Sequence, residues 1–253
     1  MEKDIVLCLK INKKVWIEKL QQGSICFNRA GRFIGDGEEN KNGEQGDRFE
    51  GVFARLPEND PRIEKYKASL GEDIEIIDDG SYVFLRRPSV KDIPIFCIFG
   101  VKKDDLEPLT DKPVSGKDGQ LHIRAKYLFP PRMYDEFLDA KKDGIEINGY
   151  FASPDHLLGE IEEKLKNESK DYIKRSVAYD IDLTQEFELP LDDSYSELFH
   201  KRKDFVYQHE IRFVLPTSPT KDKLLFDITP LPNTVAGIAK KTVDGMEFDL
   251  TLK

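Results

Sequence analysis

The sequence has no long hydrophobic run. Its apolar stretches, of which Ile93–Val101 is the most continuous, fall well short of the roughly 20 residues that cross a bilayer as a helix. The run behind the first residues, Ile5–Leu9, is also too short for the core of a signal peptide. We therefore expect a cytoplasmic chain with neither a membrane-spanning helix nor a secretion signal.

Cysteine and histidine are scarce. The three cysteines, Cys8, Cys26 and Cys97, are odd in number, and their spacing fits neither a disulfide framework nor a zinc site. Each lies in an apolar run, which favours a reduced and buried thiol. The four histidines are scattered, and the sequence contains no HExxH or CxxC motif. These residue types therefore predict no metal site.

Positive charge is in deficit. The chain has 39 Lys and Arg against 48 Asp and Glu, which gives a net charge of −9. Broad, sequence-independent binding of nucleic acid needs many cationic contacts and is disfavoured. The basic run His200–Lys203 is typical of a solvated helix face.

The phosphate-binding motifs GxGxxG and GxxxxGK[ST] and the nucleophile motif GxSxG are also absent, which excludes the enzyme classes that depend on them.

Aromatic residues are plentiful, with 16 Phe and 9 Tyr, so the chain has enough bulky apolar area for a core. Strands are predicted at residues 5–9, 24–28, 73–77, 81–86, 93–101, 120–127, 145–151, 175–181, 211–215, 223–228, 234–239 and 246–252. Helices are predicted at 13–22, 62–69, from Pro130, at 154–167 with Ser153 as N-cap, and near 193–203. Because the last strands follow one another with no helix between them, we predict a single α+β domain over residues 1–253, with a mixed or antiparallel sheet and several short helices.

Two local expectations concern the first fifty residues. The N-terminal helix is expected to bury Val15, Trp16, Ile17 and Leu20 on its inner face. Residues 29–50 contain five glycines and many charges. Segments of this length without periodicity are usually functional or disordered, so we predict a long flexible loop there.

An ordered series of short motifs resembles a poorly characterised family of bacterial and phage-associated proteins. The family pattern reads LxxGx[IL]x[FY], then an acidic DxFEG element, an apolar strand with a cysteine, and FxYxxExR[FIL]V near the C-terminus. The matching positions are Leu20, Gly23, Ile25 and Phe27; Asp47, Phe49, Glu50 and Gly51; Phe96–Phe99 and Val177–Asp180; and Phe205, Tyr207, Glu210, Arg212 and Val214. The chain departs from the pattern at Arg48, where the family usually has proline.

The order of strand, helix, glycine and strand in this family is similar to that of the ADP-ribosyltransferase fold. The resemblance implies an enzyme that uses NAD and transfers ADP-ribose to a nucleic acid or a protein. It also implies a toxin of an anti-phage defence system, with an antitoxin or a phage protein as a further partner. Such folds carry their key glutamate at the head of a late strand, and Glu210 is the residue implied for that catalytic role.

The resemblance also implies a role for each neighbouring residue. A fixed carboxylate at Glu210 would stabilise the oxocarbenium-like state of glycosidic C–N cleavage and accept the proton of the nucleophile. The implied cofactor-binding residues are Arg212 for the pyrophosphate, Tyr207 for stacking on nicotinamide, Phe27 and Asn28 beside nicotinamide, and Lys10 where relatives place a His or Arg at the adenosine ribose. Asp47, Arg48 and Glu50 are further candidates, and the two carboxylates among them could bind a ribose or a metal.

The same residues also allow structural interpretations. Glu210 and Arg212 are two apart on a predicted strand, so their side chains share a face and can pair. Arg212 suits Glu50 as a partner equally well, and Arg48 can close the preceding loop by a salt bridge with Asp47 or Glu50. Two other functions therefore stay open. One is a non-enzymatic sensor or partner-binding module, and the other is a metal-dependent nuclease built on Asp47, Glu50 and Glu210.

Overall fold

A computed structural model describes residues 5–39, 46–70, 74–109, 114–115, 121–128, 130, 146–192, 194–217, 222–231, 235–237 and 246–252. The described helices are α1 Lys14–Gln21, α2 Ala30–Glu39, α3 Pro61–Leu70 and α4 Pro154–Asn167. Short 3₁₀ turns lie at Pro88–Asp92, Lys103–Asp105, Ser196–Leu198 and Lys203–Gln208. None of the helices in these ranges combines the length and the apolarity that crossing a bilayer requires.

Strands make up much of the rest. They are β1 Ile5–Lys13, β2 Ser24–Arg29, β3 Val52–Pro57, β4 Glu75–Asp78, β5 Tyr82–Arg86, β6 Pro94–Lys102, β7 Leu106–Pro108, β8 Val114–Ser115, β9 Leu121–Tyr127, β10 Ile147–Ala152, β11 Ile173–Ser176, β12 Ala178–Ile181, β13 Phe187–Glu188, β14 His200–Arg202, β15 Glu210–Val214, β16 Lys223–Asp227, β17 Val235–Gly237 and β18 Met246–Leu252. Helices and mainly antiparallel sheets occur together, so the α+β class is confirmed.

The chain divides into two compact units. The first comprises Met1–Gly23, Phe99–Glu160 and Thr229–Lys253, and the second comprises Ser24–Ile98 and Ile161–Ile228. The expectation of a single domain stays a prediction.

In the first unit, β1 pairs antiparallel with β10 and with Phe99–Lys102 of β6, and β17 extends the sheet on the far side of β10. A second sheet pairs β9 with β18, β7 and β8. Helix α1 buries Ile17 and Leu20, which are three residues apart and share one face. Val15 and Trp16 are 49% and 36% exposed, so their predicted place on the inner face is wrong.

In the second unit, β15 lies between β11 and β6, and β2 pairs with β16 and with Pro94 and Ile95 of β6. A separate four-stranded sheet has the order β13-β3-β5-β4, and β12 pairs with β14 in parallel.

Helix α4 begins as predicted, because the His156 amide donates to Ser153 Oγ at 3.2 Å.

Several sequence predictions need correction. Residues 30–39 of the predicted loop form helix α2, which buries Ala30 and Ile34 four residues apart. A glycine in this helix serves close packing, since a Cβ on Gly31 would stand 3.0 Å from the Lys91 carbonyl oxygen. Residues 40–45 of the same segment lie outside the described residues, and so does all of the predicted helix beyond Pro130.

The predicted helix near 193–203 is also wrong. The chain forms the turn Ser196–Leu198 and then strand β14, after Tyr195 adopts a left-handed conformation with φ of 51°. Pairing of β14 with β12 therefore overrides the local helical pattern. Strand β3 was not predicted, and the predicted strand 175–181 is divided between β11 and β12.

The last residue of the GDRFEG motif is a glycine for backbone and packing reasons. Gly51 has φ of +73°, which is unfavourable for residues with a Cβ. A Cβ at this position would lie 2.5 Å from Val90 Cγ1. The motif therefore ends in a tight turn that packs directly onto the 3₁₀ turn Pro88–Asp92.

We predict that Gly51→Ala lowers the free energy of unfolding more than Gly80→Ala does. Both positions have positive φ, which costs an alanine about 1–2 kcal/mol, but the space around Gly80 is open. The clash with Val90 should add about 1–3 kcal/mol at position 51. Urea unfolding of both variants measures the difference, and equal losses would show that Gly51 is required only for its φ angle.

Candidate functional site

The GDRFEG motif forms a tight turn that leads into β3. The Phe49 amide donates to Asp47 Oδ1 at 3.0 Å, and the Glu50 amide donates to the Asp47 carbonyl oxygen at 2.8 Å. Asp47 and Glu50 are only 3% and 2% exposed. The turn thus places two carboxylates in the interior of the second unit.

The C-terminal motif places two more charges there. The 3₁₀ turn Lys203–Gln208 ends at His209, which has φ of 40°, and Glu210 follows as the first residue of β15. The Glu210 amide donates to the Tyr179 hydroxyl oxygen at 2.8 Å. Glu210 and Arg212 point to the same face of the strand because side chains alternate along it. Both are buried, at 3% and 1% exposure.

The two motifs meet at the Arg212 guanidinium. Its Nη1 donates to Glu50 Oε1 at 2.5 Å, and its Nη2 donates to Glu50 Oε2 at 3.3 Å. Its Nε donates to Glu210 Oε1 at 2.7 Å, and Nη1 also donates to the Leu198 carbonyl oxygen. All three nitrogens are therefore engaged, and a single arginine joins segments that are 162 residues apart in the chain.

Lys201 completes this group, which we call the ionic network: Glu50, Lys201, Glu210 and Arg212. Its Nζ donates to Glu210 Oε2 at 2.7 Å and to Gln208 Oε1 at 3.0 Å, and it lies 3.9 Å from Glu50 Oε2. Two carboxylates thus face two cations, so the network is electrically neutral. Neutrality matters because burying an uncompensated charge costs several kcal/mol.

The pKa values follow from this balance. Burial alone would raise the pKa of Glu210, but the charges of Arg212 and Lys201, with hydrogen bonds from Arg212 and the Cys97 thiol, hold it well below its usual range. Burial would lower the pKa of Lys201, but Glu210 and Glu50 raise it. The same two carboxylates raise the pKa of Arg212 against its own burial. At neutral pH, Glu210, Lys201 and Arg212 are therefore charged.

A partly buried ion pair lies in the same unit. Arg202 Nε donates to Asp47 Oδ1 at 3.2 Å, and its guanidinium lies over the rings of Phe49 and Phe205 at 5.6 Å and 4.8 Å. Arg48 instead pairs with Asp79 at 3.3 Å on the surface. The alternative in which Arg48 closes the loop with Asp47 or Glu50 is therefore wrong, whereas pairing of Arg212 with Glu210 and with Glu50 is observed.

This geometry suits a structural role, in which the charges hold the two motifs together, better than a catalytic role. Both oxygens of Glu210 accept hydrogen bonds from buried cations, so neither is directed at an approaching substrate. Each nitrogen of Arg212 already donates to a carboxylate of the chain. Within the described part of the chain, no group of three or more His, Cys, Asp and Glu is arranged to hold a metal ion.

The other implied cofactor-binding residues have partners of their own. Phe27 is fully buried between the rings of Phe96 and Phe226, at 5.6 Å and 5.4 Å. Asn28 Oδ1 accepts a hydrogen bond from Arg32 Nη1 at 3.1 Å. Phe27 therefore has no free face for a nicotinamide ring.

Two further implied residues are more accessible. Tyr207 is half-buried, with its ring 6.4 Å from that of Phe205. Lys10 lies in the first unit, on β1 opposite Tyr150 of β10. Of the predicted site residues, the structure thus brings together Glu50, Glu210 and Arg212.

Sequence reasoning missed the second cation of the network. Lys201 and Arg202 were noted only as part of a basic run and were assigned to a solvated helix face. The sequence signal for their role is that these cations lie shortly before Glu210. This position indicates a contact with Glu210 only when residues 200–202 are known to form a strand. Tyr179 and Cys97 contact Glu210 from other strands and carry no local signal of this role.

Comparison of the chain with models of protein families, with curated proteins and with solved structures finds no match. The family resemblance and the fold that it implies therefore stay predictions.

We predict that Arg212→Met lowers the free energy of unfolding by about 3–5 kcal/mol, because it leaves Glu50 and Glu210 buried with only Lys201 to compensate them. Urea unfolding at neutral pH measures the loss. The matched control is Lys67→Met, which removes an exposed pair with Glu64 and should cost about 0.3–0.5 kcal/mol.

The double variant Glu50→Gln/Arg212→Met sharpens this test. It leaves Glu210 with Lys201, which is again a neutral pair at 2.7 Å. The double variant should therefore be no less stable than Arg212→Met alone, with a coupling energy of about 1–3 kcal/mol between the two sites. Losses that simply add would contradict the charge-balance explanation.

Proposed function

We propose that this chain is a non-enzymatic partner-binding module that receives a cationic, partly apolar segment of another protein. The observation that carries the proposal is a groove in the second unit, between α3 and the hairpin of β4 and β5, which has an apolar floor and an acidic rim. The ionic network supports binding over catalysis, since the carboxylates of Glu50 and Glu210 already accept hydrogen bonds from Arg212 and Lys201.

The floor of the groove offers apolar contact area. The groove has a volume of about 450 Å³ and is lined by the buried side chains of Ile63 and Val83. Ile76 of β4 also lines it and is 43% exposed. An exposed isoleucine beside a buried apolar floor is a suitable contact for an aliphatic side chain of a partner.

The rim determines which partner fits. It carries the carboxylates of Glu58, Asp60, Glu64 and Asp78 and the cation Lys67, and Arg62 pairs with Asp60 at its edge, so the net charge is about −2. A hydrogen bond from Arg62 is the main cause that lowers the pKa of Asp60 to about 2, so this carboxylate is ionised at neutral pH.

A lysine or arginine side chain matches both parts of this surface. Its methylene stem can lie on the apolar floor while its charged head reaches a rim carboxylate. An acidic rim also attracts cationic partners over a distance and repels acidic ones. A segment that alternates basic and aliphatic residues is therefore the ligand that the groove suits best.

We predict that a fluorescein-labelled peptide of alternating lysine and leucine binds the protein in an anisotropy titration, and that Ile76→Ser weakens the Kd by roughly tenfold, or about 1.4 kcal/mol. Binding should also weaken as salt is added, because the rim charges are exposed. The matched control is Leu225→Ser, which removes a leucine that is 58% exposed on β16 and should leave the Kd unchanged.

A companion peptide with glutamate in place of lysine tests the charge argument. It should not bind, and reversal of one rim charge by Glu58→Lys should weaken the lysine peptide further. Equal binding of the two peptides, or no binding of the lysine peptide at all, would refute the groove as the partner site.

An ADP-ribosyltransferase of an anti-phage system is the second candidate, and one observation favours it. Glu210 is the first residue of β15, the position at which the resemblance places a catalytic glutamate. For this function, Glu210 would have to release Lys201 when NAD binds, since that lysine occupies Oε2.

Calorimetry with intact NAD distinguishes the two candidates, with Tyr207→Ala as the informative variant because Tyr207 is the accessible aromatic residue next to this strand. Saturable heat that disappears in Tyr207→Ala would establish a dinucleotide site and favour the transferase. No heat from folded wild-type protein at millimolar NAD would remove the transferase as a candidate.

A further inference from the structure

We infer that Arg55 is the base of an oxyanion-binding site on the four-stranded sheet of the second unit, and that its ligand presents a phosphate or a carboxylate group. The inference rests on a buried guanidinium that aromatic rings hold in place and that has two donors without a partner in the described part of the chain. It is independent of the groove beside α3.

Arg55 lies in the middle of an aromatic row. It is on β3, a strand with neighbours on both sides, and it stands directly opposite Phe84 of β5 and Phe187 of β13. Ile77 of β4 stands opposite Phe84 in turn. Residues directly opposite one another in an antiparallel sheet point to the same face, so Arg55 is the only charged member of this apolar row.

Aromatic contacts fix the guanidinium. Its central carbon lies 3.7 Å from the centre of the Tyr82 ring and 5.6 Å from that of Phe84. Only 6% of the Arg55 surface is exposed. A cation over a ring is attracted by the negative face of the ring, which orients the guanidinium but leaves its N–H donors unused.

Those donors have no partner among the residues that the structure describes. Nε and Nη1 of Arg55 are fully buried and make no hydrogen bond there. The other two fully buried arginines of the unit are paired, Arg86 with Glu75 and Arg212 with Glu50 and Glu210. Arg55 differs from them because neither its Nε nor its Nη1 has a hydrogen-bond partner among the described residues.

The nearest acidic residue along the neighbouring strand cannot supply the missing charge. Glu188 follows Phe187 on β13, so its side chain points to the opposite face of the sheet. There its carboxylate accepts hydrogen bonds from Arg62 and from the Tyr66 hydroxyl. Glu188 is therefore not the counterion of Arg55.

A single oxyanion satisfies what is missing. A guanidinium presents its donors in a planar fork that matches two oxygens of a phosphate or a carboxylate. Such a ligand would neutralise the buried charge and accept a hydrogen bond from Nε or from Nη1, which lie on different edges of the guanidinium. The half-buried Tyr82 and Phe187 beside the guanidinium would flank it with apolar surface.

The first test is thermal unfolding with added sodium phosphate, at an ionic strength held constant with sodium chloride. The unfolding temperature of the wild type should rise with phosphate and then level off, and Arg55→Met should abolish the rise. The matched control is Arg48→Met, because Arg48 also lies over a ring, Phe49 at 4.5 Å, but is exposed and already paired with Asp79. The control should respond like the wild type.

A second readout uses the wild-type protein alone and so does not depend on the folding of a variant. The side-chain Nε–H resonance of Arg55 in ¹⁵N-labelled protein should shift and saturate as phosphate is added. Acetate in a parallel titration identifies the preferred source, since a tighter response to one anion assigns the site to phosphate or to carboxylate ligands. A resonance that responds to neither anion up to roughly 100 mM would overturn the inference.

An equal rise of the unfolding temperature in Arg55→Met would also overturn it, because that rise would be a general salt effect. The outcome is separate from that of the groove. Ile76→Ser should leave the phosphate response unchanged even if the lysine peptide fails to bind.

Discussion

The buried guanidinium of Arg212 is the constraint on which the second unit depends. A cation with 1% exposure is tolerable only if carboxylates accompany it into the interior, and Glu50 and Glu210 do so at 2.5 Å and 2.7 Å. Each carboxylate requires a fixed backbone in turn. Glu50 depends on the turn that Gly51 closes against Val90, and Glu210 depends on the left-handed residue His209 before β15. Lys201 restores neutrality. The network therefore joins β14 and β15, two strands of different sheets, to a turn that is distant in sequence.

This dependence gives a physical meaning to the two motifs that resemble a known family. Their charged residues meet in the interior, and their glycine and aromatic residues provide the turn and the packing around the charges. Motifs of buried residues can be shared by proteins because they stabilise a common fold, and not only because they perform a common activity. The two ligand sites that we propose lie elsewhere in the same unit, in the groove beside α3 and at the buried Arg55.

The sequence was sufficient for the elements whose own residues determine them. Strands β2, β5, β6 and β15 and helices α3 and α4 follow from apolar periodicity and end signals, and the pairing of Glu210 with Arg212 follows from their spacing on a strand. Elements that depend on tertiary partners were missed. Arg55 interrupts the apolar pattern of the residues that form strand β3. Strand β14 forms because β12 is available to pair with it. The partnership of Glu50 with Arg212 could be proposed, but the positions of Lys201, Tyr179 and Cys97 around Glu210 require the topology.

The most direct test of the central claim is the stability of Glu210→Gln relative to the wild type as a function of pH. Because the folded-state pKa of Glu210 lies below its ordinary value of 4.5, its charge contributes stability that is present above that pH and is lost as the pH falls below it. The variant should therefore be less stable at pH 7, and the difference in free energy of unfolding should shrink as the pH falls below about 4.5. A catalytic carboxylate that is held in a destabilised state would give the opposite sign at neutral pH. A variant that is more stable than the wild type at pH 7 would contradict the structural role of the network.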